Sequence, residues 1–241
     1  MVGSPGQRVV RLALAAVAAV SVVACGGVLS LNPAPLPTRA PTPAPLPTGT
    51  PAADALPGDG WAQYTLAEDG LALALPRSWQ QVDLDNPPGS ILRAEKAREP
   101  GLATALPAMD PETRFFAFDL APESVASDVL ANLSVVRRHL SNTASLAEWN
   151  SANAREVAKM AALVAPPLQE DLQLPAGPAL RLRYQIALDG AHPDRCLALT
   201  QLLLVHAQEG YVITLATAPT QAPHYAPIFD EIGRSLRWLD E

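Results

Sequence analysis

Apolar and polar residues alternate along much of the chain after residue 60, which is the pattern of half-buried β-strands. The first two such segments read WAQYTL and LALALP, and they flank the short polar stretch AEDG. An Asp-Gly pair between two apolar segments favours a tight turn. The pattern therefore predicts an opening hairpin with Asp69 and Gly70 in its turn, followed by a short strand within residues 77–84 that contains Trp79.

The middle of the chain is predicted to contain both helices and strands. Residues 90–106 predict one or two short helices, broken near Pro100 and Gly101. The segment RFFAFDL and the segment from Asp128 to His139 predict two more strands. We expect the turn-like sequence APES to join these two strands.

A helix after Ser145 is the most clearly marked element of the chain. Ser145 and Glu148 have the spacing of a capping box, in which the serine side chain accepts from the third helical amide and the glutamate reaches back. The apolar residues that follow recur at helical spacing on one face. They are Leu146, Trp149, Val157 and Met160.

The last third of the chain predicts a hairpin-linked sheet closed by a helix. ALRLRYQIAL, residues 179–188, alternates between apolar and polar positions, and a long apolar strand from Cys196 to Ala207 is predicted to turn through QEG and return as YVITLATA. Pro223 is expected in the first turn of the final helix. Its core-facing residues are Tyr225, Ile228, Phe229, Ile232 and Leu236. The element order predicts an α+β fold, an antiparallel sheet with helices packed on it.

The first residues have the plan of an export signal. Arg8 and Arg11 precede the uncharged apolar block of residues 12–24. The next four-residue motif, Val22-Val23-Ala24-Cys25, resembles the bacterial lipobox. That resemblance implies that residues 1–24 are a lipoprotein signal peptide, and that Cys25 carries the lipid and becomes the first residue of the mature protein.

A second interpretation of the same segment is an uncleaved membrane anchor. The uncharged run continues through residues 25–31 and reaches the roughly 20 apolar residues that can span a bilayer. The two arginines would hold the N-terminus in the cytoplasm in that case also. Both interpretations therefore predict an exported protein, tethered to a membrane on its extracytoplasmic side.

Residues 25–57 are predicted to be a tether between the lipid and a domain over residues 58–241. Residues 33–57 contain nine prolines, and PAPLPTRAPT is followed at once by PAPLPTGTPA. Such a segment favours solvated polyproline II structure over a helix or a sheet. A docking motif for a proline-binding module is the alternative interpretation.

The whole domain resembles the PsbP-type α/β sandwich, which also occurs in bacterial lipoproteins. The features that carry the resemblance are EDGLALALPRSW, FFAFD, LPAGPALRLRY and the closing YVITLATAPTQAPHYAPIFDEIGRSLRW, which together span most of residues 60–239. Photosynthetic members of that family are extrinsic subunits of a membrane complex, and a nuclear relative binds a small GTPase. The resemblance therefore implies a domain that binds another protein and does not catalyse a reaction.

Composition and charge limit the classes of partner that the chain can bind. Seventeen Lys plus Arg against 24 Asp plus Glu give a net charge of −7, so we expect no basic face for nucleic acid. The two cysteines are Cys25 and Cys196. If Cys25 carries lipid, Cys196 has no partner for an intrachain disulfide, and we expect it to be a buried, inert thiol.

Few residues suggest catalysis or metal binding. The chain has no G-x-S-x-G, no phosphate-binding glycine loop and no H-E-x-x-H. The tightest metal candidate is HPDRC, with His192, Asp194 and Cys196 at alternating positions, but a solvated turn is the favoured interpretation. His206, near a hairpin end, is expected to be partly buried. We therefore predict no catalytic residue, no cofactor and no metal ligand.

Two groups of cationic residues have a functional and an ordinary interpretation. Arg137, Arg138 and His139 are consecutive, and Arg181 and Arg183 share the polar face of one strand. Arginine suits bidentate contacts, so the functional interpretation of each group is an anion or carboxylate site. The favoured interpretation is solvent-facing charge that offsets nearby acids. The four tryptophans are predicted to pack in the core, although an exposed aromatic patch would suggest a contact surface.

Three functional hypotheses follow. The first is a non-catalytic exported lipoprotein whose domain binds or supports a cell-envelope protein. The second is a small-molecule-binding lipoprotein, which predicts an apolar pocket between sheet and helices. The third is an envelope hydrolase, which the missing motifs disfavour.

Overall fold

A computed structural model of the chain describes residues 56–84, 110, 112–127, 129–140, 145–160, 162–187 and 196–239. Within these ranges the strands form two antiparallel sheets, with a few helices packed on them. This arrangement confirms the predicted α+β class, but the strands divide between two sheets rather than one. Cys25, nearly all of the predicted tether and the predicted helices of residues 90–106 lie outside the described residues. No helix in the described ranges is long and apolar enough to cross a membrane.

The smaller sheet has three strands in the order β1-β2-β10. These are β1 (Trp61–Leu66), β2 (Leu71–Pro76) and β10 (Arg237–Trp238). The predicted opening hairpin is confirmed, and a short 3₁₀ turn, Ala67–Asp69, joins its strands. Gly70 has a φ of 60°, a left-handed conformation that glycine adopts at little cost.

The larger sheet has seven strands in the order β3-β4-β5-β9-β8-β7-β6. Their bounds are β3 (Trp79–Gln81), β4 (Thr113–Asp119), β5 (Asn132–His139), β6 (Leu168–Leu174), β7 (Gly177–Ala187), β8 (Cys196–His206) and β9 (Glu209–Thr217). Strand β6 was not among the strands predicted from the sequence. Its sequence, LQEDLQL, is largely polar because it is an edge strand with mostly exposed side chains.

In the part of the chain that the structure describes, three α-helices accompany the sheets: α1 (Pro122–Ala126), α2 (Leu146–Ala158) and α3 (Ala222–Ser235). The predicted capping box of α2 is confirmed, since the Ser145 side chain accepts from the Glu148 amide and the Ser145 amide donates to the Glu148 carboxylate. The segment APES was expected to be a turn, but its last three residues begin α1. Proline near the start of a helix is favourable, which the turn interpretation overlooked.

The larger sheet separates two apolar layers because successive residues of a strand point to opposite faces. In β9, Tyr211, Ile213 and Leu215 join a core cluster with the small sheet and α3, whereas Val212 and Ala216 join a second cluster with α2. We call the first side the α3 face and the second the α2 face. Trp79 and Trp149 are buried, and Trp61 and Trp238 are half-buried against the α3-face cluster.

The β8–β9 turn differs from the prediction. The strands pair up to His206 and Glu209, so the turn consists of Ala207 and Gln208 rather than QEG. Both turn residues have positive φ values, 47° and 65°. Gly210 lies inside β9, where an added Cβ would stand 2.8 Å from the Trp149 ring. This glycine therefore allows a close approach of α2 and does not form the turn.

A candidate binding cleft and the charge network behind it

An open cleft of about 630 Å³ lies where the small sheet's hairpin turn meets the edge of the large sheet. Its walls come from three stretches that are far apart in sequence. The lining residues are Thr65 to Asp69 from the hairpin, Gln80 to Leu84 from β3 and beyond, and Thr113 and Arg114 from β4. Most of the lining side chains are polar, so the cleft offers hydrogen bonds and charges to a ligand.

A β-bulge turns Arg114 toward the cleft. Thr113 pairs with Val136 and Phe115 pairs with Val135, so one extra residue, Arg114, interrupts the register between β4 and β5. Bulges of this kind redirect a side chain without ending the strand. The Arg114 side chain is about one-third exposed and lines the cleft.

Asp69 is the buried acid at the back of the cleft. Its side chain is only 6% exposed, and its Oδ1 lies 2.8 Å from a terminal guanidinium nitrogen of Arg137 and 3.9 Å from Arg114 Nε. The angles do not suit a hydrogen bond at Oδ1, so attraction between opposite charges holds the pair. Burial raises the pKa of Asp69 above its usual value, although both arginines act in the opposite direction.

Backbone contacts fix the hairpin turn that forms this wall. The Tyr211 hydroxyl donates to the Asp69 carbonyl at 3.1 Å, and Arg137 donates to the Glu68 carbonyl at 3.4 Å. The amide of Leu239 donates to the Gly70 carbonyl at 2.7 Å. Strands β5, β9 and the end of the chain therefore hold the turn in one position, which gives the cleft a preformed wall.

The consecutive residues Arg137, Arg138 and His139 do not form one cationic site. Arg137 faces Asp69, Arg138 bonds the carboxylates of Asp110 and Glu112, and His139 Nδ1 lies 3.1 Å from Glu209 Oε1. Arg138 points to the opposite face of β5 from the other two, while Arg137 and His139 share a face but pair with different acids. Each of the three residues therefore lies beside an acid as expected, but only His139 faces solvent, and Arg137 also supports the cleft.

Arg181 and Arg183 share acidic partners in the same way. Both lie within 3.4 Å of Glu170 on the neighbouring strand β6, and Arg181 also lies 2.8 Å from Asp230 of α3. Arg181 is largely buried by these contacts, whereas Arg183 is half exposed. Both arginines therefore offset nearby acids as expected, but only Arg183 faces solvent, and Arg181 instead joins the sheet edge to α3.

The remaining candidate residues stay apart. Cys196 was expected to be buried, but it is half-buried at the start of β8. His206 was expected to be partly buried, but it is exposed and stacks on Trp238. His192 and Asp194 lie outside the described residues. With the side chains in these positions, the described ranges contain no three His, Cys, Asp or Glu side chains grouped as a metal ion would require.

The cleft is not apparent from the sequence. Its walls come from segments up to about fifty residues apart, and no local pattern shows that two sheets bring them together. The signals that existed were the Asp69-Gly70 turn and the polar pair Gln80-Gln81 directly after buried Trp79. Each signal indicated only a solvent-facing turn or strand.

Comparison with known proteins places the fold. No protein-family model matches the chain, and no curated protein matches it. The solved structure of cyanobacterial PsbP (CyanoP) from Synechocystis is similar, with 15% identity, coverage of 79% of this chain and 99% of that chain, and a TM-score of 0.50. LpqN of Mycobacterium tuberculosis, described as involved in cell envelope biogenesis, has 9% identity, coverage of 76% and 88%, and a TM-score of 0.45.

A further similar structure is the Ran-binding protein Mog1p of Saccharomyces cerevisiae, with 9% identity, coverage of 75% and 96%, and a TM-score of 0.46. Identities this low speak to the fold alone. The resemblance inferred from the sequence is confirmed at that level: the chain contains a PsbP-like α+β domain.

Proposed function

We propose that this protein is a lipid-anchored adaptor on the extracytoplasmic side of a cell membrane, and that its PsbP-like domain binds another protein of the cell envelope without catalysis. The observation that carries the proposal is the open polar cleft with its preformed wall. A preformed surface loses little conformational freedom on binding, which favours affinity.

The shape of the cleft favours a protein segment over a small apolar ligand. Pockets for small molecules are enclosed and lined mainly by apolar side chains. This cleft is open, and hydroxyl, amide and charged groups dominate its lining. The layers between sheet and helices, where an apolar pocket was expected under the second hypothesis, are filled by the buried residues of the two core clusters in the described ranges.

The N-terminal sequence supports the location. The lipobox-like motif ends at Cys25, and the proline-rich tether that follows would extend about 3.1 Å per residue in polyproline II form. A domain on such a tether can reach partners several tens of Å from the bilayer. A lipid anchor and a long spacer suit an adaptor that works near a membrane.

Reversing the charge at the cleft tests the binding proposal. We expect Arg114→Glu in the full-length lipidated protein to reduce strongly the capture of one envelope protein after mild crosslinking in native membranes. The matched control is Arg234→Glu, which changes another exposed arginine, one that pairs with Glu231 on α3. Equal capture by wild type and Arg114→Glu would contradict the proposal, as would loss of capture in both variants.

Replacing the anchoring cysteine tests the location separately. We expect Cys25→Ala to abolish labelling by a radioactive or clickable fatty acid and to leave an uncleaved precursor. Cys196→Ala is the control, because it removes the other cysteine of the chain. Unchanged labelling and cleavage in Cys25→Ala would contradict lipidation at this residue.

A further inference from the structure

Three residues that can bind metals lie side by side at one end of the large sheet. In the antiparallel register, Glu209 of β9 is directly opposite His139 of β5 on one side. On its other side, Glu209 is directly opposite His206 of β8. The Cβ atoms of directly opposed residues are about 4.5–5.5 Å apart, so each histidine starts close to Glu209, which lies between them.

All three side chains leave the sheet on its α3 face. Two residues further into the sheet, the next set of opposed residues is Arg137, Tyr211 and Leu204. Tyr211 and Leu204 belong to the α3-face core cluster, and Arg137 reaches Asp69 on the same side. Because side chains alternate with a period of two, His139, Glu209 and His206 must share that face.

Two of the three side chains, those of His139 and Glu209, are already in contact, whereas the third is turned away. His139 Nδ1 lies 3.1 Å from Glu209 Oε1, and the two side chains are 72% and 25% exposed. The His206 ring instead stacks on Trp238, with 4.1 Å between ring centres and 12° between ring planes. His206 is exposed to solvent, so rotation about its side-chain bonds can release it toward Glu209.

We propose that His139, Glu209 and His206 bind a divalent transition-metal ion of the Zn²⁺ class when His206 leaves Trp238. Two imidazole nitrogens and one carboxylate oxygen are a ligand set that zinc accepts, with water in the fourth position. Imidazole donors favour Zn²⁺, Cu²⁺ or Ni²⁺ over Mg²⁺ and Ca²⁺. Giving up one ring-stacking contact costs less than metal coordination provides.

Nearby charges permit a cation at this position. Arg137 lies two residues before His139 on the same face of β5, and its guanidinium is paired with Asp69. Glu209 and Glu68 add negative charge close to Asp69. The site therefore lies in a region where positive charge is already balanced.

The test uses the full chain without a polyhistidine tag, in a Cys25→Ser background that removes the lipid and its thiol. We expect calorimetric titration with Zn²⁺ near neutral pH to show one site. His206→Ala, His139→Ala and Glu209→Gln should each weaken Zn²⁺ binding by at least the 10–100-fold that loss of an outer-shell partner typically costs. His224→Ala is the matched control, since His224 also lies near a carboxylate, 3.7 Å from Glu123.

A second readout reports the rotation of His206. Zn²⁺ should change tryptophan fluorescence in wild type, because the imidazole leaves the Trp238 ring, and His206→Ala should abolish that change. Circular dichroism and the melting midpoint, measured on each variant, establish that it is folded. The proposal is overturned if no Zn²⁺ binds, if His206→Ala and Glu209→Gln bind it with unchanged affinity, or if binding is lost in His192→Ala but kept in these variants.

Discussion

At the scale of single residues, the fold depends on polar groups that are buried with a specific partner. The Tyr225 hydroxyl donates to Asp119 Oδ2 at 2.5 Å, and both residues are almost fully buried. The other oxygen of Asp119 accepts from the Ala121 amide at 2.9 Å. Burial, followed by the bond to Asp119, raises the pKa of Tyr225, so the phenol stays protonated and donating at neutral pH.

Tyr225→Phe tests this buried pair. We expect the free energy of unfolding in urea to fall by about 1–3 kcal/mol, because a buried carboxylate oxygen loses its donor. Tyr64→Phe is the control, since its hydroxyl donates to a backbone carbonyl in a partly exposed position and its loss should cost about 1 kcal/mol or less. Equal losses in the two variants would contradict a special role for the Asp119 pair.

Burial raises the pKa of Asp69, and this leads to a prediction about how stability depends on pH. The pKa of Asp69 is higher in the folded protein than in the unfolded chain, where it is about 3.9. The stability that protonated Asp69 contributes is therefore fully present below about pH 3.9 and is lost as the pH rises through the pKa of the folded state. The free energy of unfolding of wild type minus that of Asp69→Asn should therefore decrease from pH 4 toward neutrality. An increase over that range would show that attraction to Arg137 outweighs the burial cost.

At the scale of elements, helix α2 packs on the sheet through a contact that requires glycine. Gly210 of β9 lies under the Trp149 ring, and a Cβ there would also meet Leu140 at 3.2 Å. The contact joins the most clearly predicted helix to the central strand of the large sheet, close to the β8–β9 turn. Glycine is therefore needed here for space, since its backbone needs no unusual φ.

Gly210→Ala should consequently destabilise the domain. We expect a loss of about 1–3 kcal/mol in chemical denaturation, the typical cost of overpacking a core. Trp149→Leu provides space, so the double variant should lose less than the sum of the single losses. Additive losses would place the strain elsewhere.

A substitution in the β8–β9 turn should stabilise the domain, in contrast to Gly210→Ala. Ala207 and Gln208 both have positive φ values in a two-residue hairpin, where Asn-Gly is the favoured sequence. Replacing them with Asn-Gly should raise the free energy of unfolding by about 1–2 kcal/mol. A decrease would show that the native side chains make contacts that outweigh the backbone strain.

The same elements show what local sequence can predict. Strand β7 was predictable because Leu180, Leu182 and Tyr184 alternate with polar residues, and α2 because its capping box is local. Strand β6 was missed because an edge strand has no fully buried face to impose alternation. The β8–β9 turn was misplaced by one or two residues because Gly210, taken as a turn signal, is required by Trp149.

At the scale of the whole molecule, the sequence features that predict the location differ in kind from those that form the binding surface. The lipobox-like motif and the tether are contiguous, so the sequence alone predicts them. The cleft depends on Asp69, Gln81 and Arg114, which three separate strand regions bring together. Such a site could not be predicted without knowing that the strands divide into two sheets.

The central claim is that the cleft binds an envelope protein. The most direct measurement places a photo-crosslinking amino acid at Gln81, in the cleft, or at Gln185, an exposed position of β7 outside the cleft, in full-length protein in native membranes. We predict one crosslinked partner from Gln81 that is absent from Gln185 and is lost when Arg114→Glu is added. The absence of any adduct from Gln81, or the same adducts from both positions, would contradict the account.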